Sequence, residues 1–111
     1  MLLTREQIIA ANDRPTETVD VPEWGGSVSV RTMSGALRDR VEAAFLKDKS
    51  TSFRARVLAA TLCGEDGQLL FTEADIEALG EKSIKPIQRV YDVAIRLNAV
   101  TKTDVDELEK N

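Results

Sequence analysis

Few residues of this chain could do chemistry, and their spacing argues against most reactions. The closest approach to a metal site is GEDGQLLFTEADIEALG, residues 64–80. With Gly67 at the invariant glycine of an EF-hand calcium loop, Glu73 takes the bidentate position and Asp66 the fifth. Leu62 and Gly64 then fall where the first two carboxylates belong, so the segment reads as a turn followed by a capped helix. Cys63 is the only thiol and there is no histidine, which leaves nothing to activate a nucleophile or complete a zinc site. It reads as a small buried hydrophobe. Carboxylates gather at Asp75 with Glu77 and at Asp104 with Asp106 and Glu107. Acid–base work needs a cleft that separates two pKa values, and these groups are expected on solvated helix faces. With no phosphate loop either, the chain is expected to be no enzyme and to use no cofactor. Its surface is then expected to be its function.

Five residues stand out as candidate partner-binding groups: Trp24, Phe45, Phe53, Arg54 and Arg56. Trp24 falls at the tip of a glycine-flexed hairpin. There it is either a lid over the edge of the core or an anchor received by a partner's pocket, and the scarcity of other large side chains favours the lid. The other four are chosen on expected exposure. They belong to a charge pattern with two poles. Arg38, Arg40, Lys47, Lys49, Arg54 and Arg56 outnumber Asp39, Glu42 and Asp48, whereas residues 65–81 hold six acids and no base. Solvated helix faces explain this most simply; head-to-tail pairing of copies is the sharper reading.

The elements that must position these groups are legible. Thr4 and Gln7 form a capping-box pattern with Leu3 and Ile8 as a staple, predicting a short helix to about Ala11. Thr18 to Val21 and Ser27 to Arg31 alternate valine with polar residues around PEWGG, which predicts a hairpin with a loop of about five residues. Ser34 caps a second helix with Leu37, Val41, Ala44 and Phe45 on one face. Thr51 or Ser52 opens a third, and Leu69 to Phe71 is a bridge or tiny strand. Thr72 with Asp75 starts a fourth helix, after which Gly80 suits the left-handed position. Ser83 and Pro86 begin the longest helix, carrying Ile87, Tyr91 and Ala94. Thr103 starts a last one.

The fold class expected is α+β: a mostly α-helical single domain over residues 1–111 with one small N-terminal β-hairpin, residues 1–3 and 103–111 being expected to fray. A hydrophobic share of 42% against 31% charged residues is that of a folded chain. No apolar run approaches the ~20 residues of a membrane span. MLLTREQ turns polar too soon for a secretory signal, and a lone cysteine agrees with a cytoplasmic location. A net charge of −4 opposes nonspecific attraction to nucleic acid or anionic lipid.

In order, LTREQIIAA, VDVPEWGGSVSVR, SGALRDRVEAAF, RARVLAATLCGEDGQLLF, TEADIEALGEKS and IQRVYDVAIRLN resemble the tail assembly chaperones of long noncontractile-tailed bacteriophages and prophages. The resemblance covers almost the whole chain and rests on the series, since no single motif is diagnostic. It implies a nonenzymatic protein that binds and solubilises the tape-measure protein, helps recruit the tail-tube protein, acts in the host cytoplasm and is absent from the mature virion. It also implies a tendency to form a homo-oligomer. Many members are made in two forms, the longer by programmed frameshift. Glu109, Lys110 and Asn111 are encodable as GAA AAA AAC, which contains the slippery heptamer A AAA AAC. The alternatives are a small structural virion component, such as a minor tail or connector protein, and a DNA-mimicking regulator acting through residues 65–81.

Overall fold

The computed structural model describes residues 1–110; Asn111, the last position of the slippery-codon reading, lies outside the described residues. The chain runs α1 (Arg5–Ala10), β1 (Thr16–Val21), β2 (Gly26–Arg31), α2 (Gly35–Lys47), α3 (Phe53–Thr61), β3 (Leu62–Cys63), α4 (Ile76–Gly80), α5 (Ile84–Leu97) and α6 (Lys102–Lys110). The three strands form one antiparallel sheet in the order β1-β2-β3. The architecture is therefore α+β and mostly helical, and the sheet has one strand more than the expected hairpin.

Register follows from the valines. Val19 faces Val28, and Val21 faces Gly26, which leaves the four residues Pro22 to Gly25 as the loop instead of five. Pro22–Trp24 makes a single 3-10 turn, and Gly25 closes it with a φ of 78°, a conformation that costs glycine little. Val19, Val21 and Val30 are buried against the helices, while Thr18, Asp20 and Ser27 stay exposed. Leu62 and Cys63 leave α3 directly into the sheet, pairing with Val30 and Ser29. The 64–67 turn then sends the chain back, so that Leu69 bridges Cys63. That bridge is the tiny strand the sequence suggests at Leu69.

The caps hold where they are local. Thr4 and Gln7 make the full capping box, Ser34 Oγ accepts from Leu37 N, and Ser52 Oγ accepts from Ala55 N. Two boundaries differ. Gly80 ends α4 inside its last helical turn and has no positive φ; it lies against Ser52 and Ala55 of the neighbouring helix. Thr101, not Thr103, opens α6 through reciprocal bonds with Asp104. Residues 102–110 form a helix, with Leu108 buried and Arg38 of α2 paired to Asp104.

The core is built around α3 and α5. Ala55 through Thr61 are all buried, and Leu58, Val90 and Ala94 are fully so. Asn98 ties this core to the start of α2: its Nδ2 donates to Ala94 O and its Oδ1 accepts from Met33 N.

Candidate partner-binding surface

Two of the three aromatic candidates, Phe45 and Phe53, meet in one seam with Tyr91. Phe53 opens α3 and meets Phe45 of α2 edge-on at 5.0 Å, and Tyr91 of α5 at 6.5 Å. Arg54 stands over the Tyr91 ring at 5.4 Å and donates from Nε to Gln88 Oε1 at 2.8 Å. A guanidinium so placed gains cation–π attraction while its edge stays wet. Burial pushes the Tyr91 phenol up. Phe53 is half-buried and Arg54 exposed, so these two are open to a partner.

Phe45 and Arg56 do not meet the expectation of exposure that selected them. Phe45 is 6% exposed, filling the contact of α2 with α3. Arg56 is 5% exposed; its Nη1 donates to both carboxylate oxygens of Glu73, at 2.8 and 3.1 Å, and its Nε to Thr51 Oγ1 at 3.2 Å. The cause is desolvation: a buried guanidinium needs a carboxylate, and Glu73 is the one brought within reach. This pair also joins the basic and acidic poles inside a single chain.

Trp24 stays apart from the aromatic seam. It is half-buried and packs on the core as the expected lid, and with Phe71, Ala78 and Leu79 it lines a surface hollow of about 460 Å³. Its turn is latched by Glu23, whose two oxygens accept from Arg89 Nη1 and Nη2 at 2.6 and 2.7 Å. The Arg89 guanidinium holds the Glu23 carboxyl down to about 2. That fork geometry fixes orientation as well as charge.

Two features were missed by reading residues singly. The first is the amino-terminal arm. No residue of α1 is buried, and Leu2, Leu3, Ile8 and Ile9 are 96%, 59%, 58% and 74% exposed. Among the described residues, the arm's side-chain bonds run only between Thr4 and Gln7 and between Arg5 and Glu6. The second is an open groove of about 400 Å³ between α2, α3 and the 69–76 segment, with Ala59 and Ala60 as floor and Val41, Ala44, Leu69 and Phe71 as walls. The signal for the arm was in the sequence: a short helix carrying Ile8 and Ile9, cut off from the body by Asn12 to Pro15. The groove was not, because its depth comes from two alanines that look like any core residue.

Among the described residues no group of acidic, cysteine or histidine side chains could hold a metal ion, and no helix is long and apolar enough to cross a membrane. Asp66, the fifth-position residue of the calcium-loop alignment, instead accepts from Gln68 N and shapes the 64–67 turn.

Curated proteins give no match. The fold is similar to that of the bacteriophage HK97 tail assembly chaperone, with a TM-score of 0.61 and 24% identity over 87% of this chain and 95% of that one. The family model described as phage tail assembly chaperone matches residues 4–111. The chain, over nearly its entire length, belongs to the phage tail assembly chaperone family.

Proposed function

We propose that this protein binds the tape-measure protein during tail assembly, keeps it soluble and helps bring tail-tube subunits to it, without catalysis. It acts in the host cytoplasm and leaves before the virion is complete. The observation that carries this reading is the family match over residues 4–111. The apolar side chains left exposed on the arm and the half-open aromatic seam support it. A long helical client exposes apolar stripes until tube subunits cover them, and many small acidic proteins would hide those stripes and keep the complexes apart by charge. Weak contacts multiplied along the client suffice. Copies of the chain associate with one another on or off the client.

Phe53 and Arg54 are the residues of the original five best placed to meet the client, with Trp24 at a separate contact. A minor product made by slippage at the codons for Glu109, Lys110 and Asn111 carries the part that engages tube subunits. An AAG codon for Lys110 would count against that product.

Coexpression with the tape-measure protein from the same tail gene cluster tests the reading. The client is expected to become soluble and to copurify. A client that stays insoluble, together with this chain among the proteins of purified virions, would instead favour a structural virion component.

A further inference from the structure

We propose that the α2/α3 groove and the Trp24 hollow act as one track for a single helix of the client, an amphipathic stretch whose apolar stripe is bounded at each end by carboxylates. The proposal rests on the client reading above and gives it a surface and a chemistry. The two depressions adjoin, because Phe71 lines both. The return of the chain after the 64–67 turn produces this arrangement. Leu69 and Phe71, two positions apart, line the groove, while Leu70 between them lies with Val28 and Cys63 in a different hollow. Small side chains supply the depth: Ala44, Ala59 and Ala60 in the groove, and Ala78 beside Trp24. The volumes, about 400 and 460 Å³, fall in the range of roughly 300–1,000 Å³ that ligand sites occupy. Trp24 and Phe71 are half-buried, fixed by the core yet open on one side, as the aromatic anchors of helix-in-groove recognition are.

The charges select the occupant. Arg40, Arg56 and Glu73 line the groove, and Glu23, Asp75 and Lys82 line the hollow. The three acids and Arg56 are already committed within the chain. Arg56 is bonded to Glu73 and Glu23 to Arg89, and Asp75 Oδ2 accepts from Thr72 N and Thr72 Oγ1, at 2.8 and 3.3 Å. Arg40 and Lys82 are exposed, and their side chains have no bonded partner among the described residues. One lies in the groove and the other at the hollow, so each depression that meets at Phe71 carries a free cation. A basic stretch of client would meet two uncompensated cations and no free carboxylate, whereas acids at the ends of an apolar stripe meet both cations. The net charge of −4 alone would favour a basic partner; at this surface the local charges decide otherwise.

Copurification of the coexpressed tape-measure protein with the full chain, native or variant, tests it, with thermal unfolding by circular dichroism as the fold control. Trp24 is the sole tryptophan, so its emission gives a second reading when tryptophan-free peptides of the client are added. The native chain should hold the client, and its emission should shift to the blue with peptides that carry an acid-bounded apolar stripe. Ala44→Glu/Ala78→Glu, which fills both depressions, should nearly abolish client recovery. Arg40→Glu/Lys82→Glu, which reverses only the two free cations, should lower it severalfold, whereas Lys47→Glu, at an exposed cation off the track, should leave it unchanged. If the alanine variant fails to fold, the charge reversal decides. A native chain that holds no client overturns the client reading and the track with it. A client held equally by the native and charge-reversed chains, or a Trp24 emission that no client peptide changes, would overturn the track alone. So would variants that keep the client and instead lose association between copies, since a second copy would then be the occupant.

Discussion

Helices α1 and α3 start alike and end up in opposite states. Each follows a hydroxyl cap, Thr4 or Ser52, and each is rich in apolar residues. Yet α3 is buried from Ala55 to Thr61, while α1 buries nothing. The cap decides where a helix begins, because it satisfies amide groups that the first turn leaves free. Burial decides whether the helix persists. From Ala55 onward α3 is packed between α2, α4 and α5, so its stability is shared with the whole domain. In α1 the capping box is intact and the covering layer is missing, which leaves the arm as the part of the molecule whose order depends on something else.

The largest effect that separates the two regions should come from Leu58, which is fully buried. Leu58→Ala is expected to cost about 2–5 kcal/mol in urea unfolding, against about 0.5 kcal/mol or less for Ile8→Ala in the dilute chain. A large loss from Ile8→Ala would break the comparison by showing the arm to be part of the folding unit.

Next in size is the Arg56–Glu73 pair. Glu73 is exposed, so its replacement looks harmless, but Glu73→Gln leaves the buried Arg56 without its countercharge. A loss of about 1–2 kcal/mol is expected, at the modest end for a charge-assisted bond because water reaches the carboxylate side. Urea midpoints of the two chains measure it.

A gain of about 1 kcal/mol or less is expected from Ala99→Gly. Ala99 follows α5 with a φ of 54°, and its N donates to Arg96 O while Val100 N donates to Ile95 O, the double bond of a left-handed helix end. Alanine pays a steric penalty there that glycine avoids. Thermal unfolding should show the rise; no change would mean the penalty is relieved in solution.

The smallest effect is at the hairpin tip. The Glu23 carboxyl is lowered from 4.5 to about 2 by Arg89. A depressed carboxylate stabilises the fold fully above its unfolded value and loses that contribution as pH falls from about 4.5 toward 2. Asp48, held down by Ser50, and Asp104, held down by Thr101, act in the same direction. Glu23→Gln should therefore flatten the acid end of the stability profile and leave α1 untouched; an unchanged profile would show the latch to be open in solution.

Features governed by nearby residues were legible in the sequence. The Thr4–Gln7 box, the Ser34 cap, the Thr72–Asp75 box and the valine alternation all depend on partners within a few positions, and each appears in the structure. The departures arise where distant residues decide. Leu62 and Cys63 continue an apolar helical run in sequence, and only the free edge of β2 turns them into a strand. Gly80 looks like a left-handed cap, but the close approach of Ser52 and Ala55 is what lies beside it. Arg56 reads as a surface charge until Glu73, 17 positions away, is seen beside it. The aromatic seam is half legible: Phe53 and Arg54 stand out in the sequence, while the Tyr91 ring that both of them meet reads only as core.

Hydrogen exchange on the dilute chain, residue by residue, tests most directly the division between a self-sufficient body and a partner-dependent arm. The amides of α3 and α5 should exchange only through global unfolding, and those of α1 nearly as fast as an unstructured peptide. On association with another copy or with a client, α1 should gain protection. Slow exchange across Arg5–Ala10 in the dilute, monomeric chain would contradict the account.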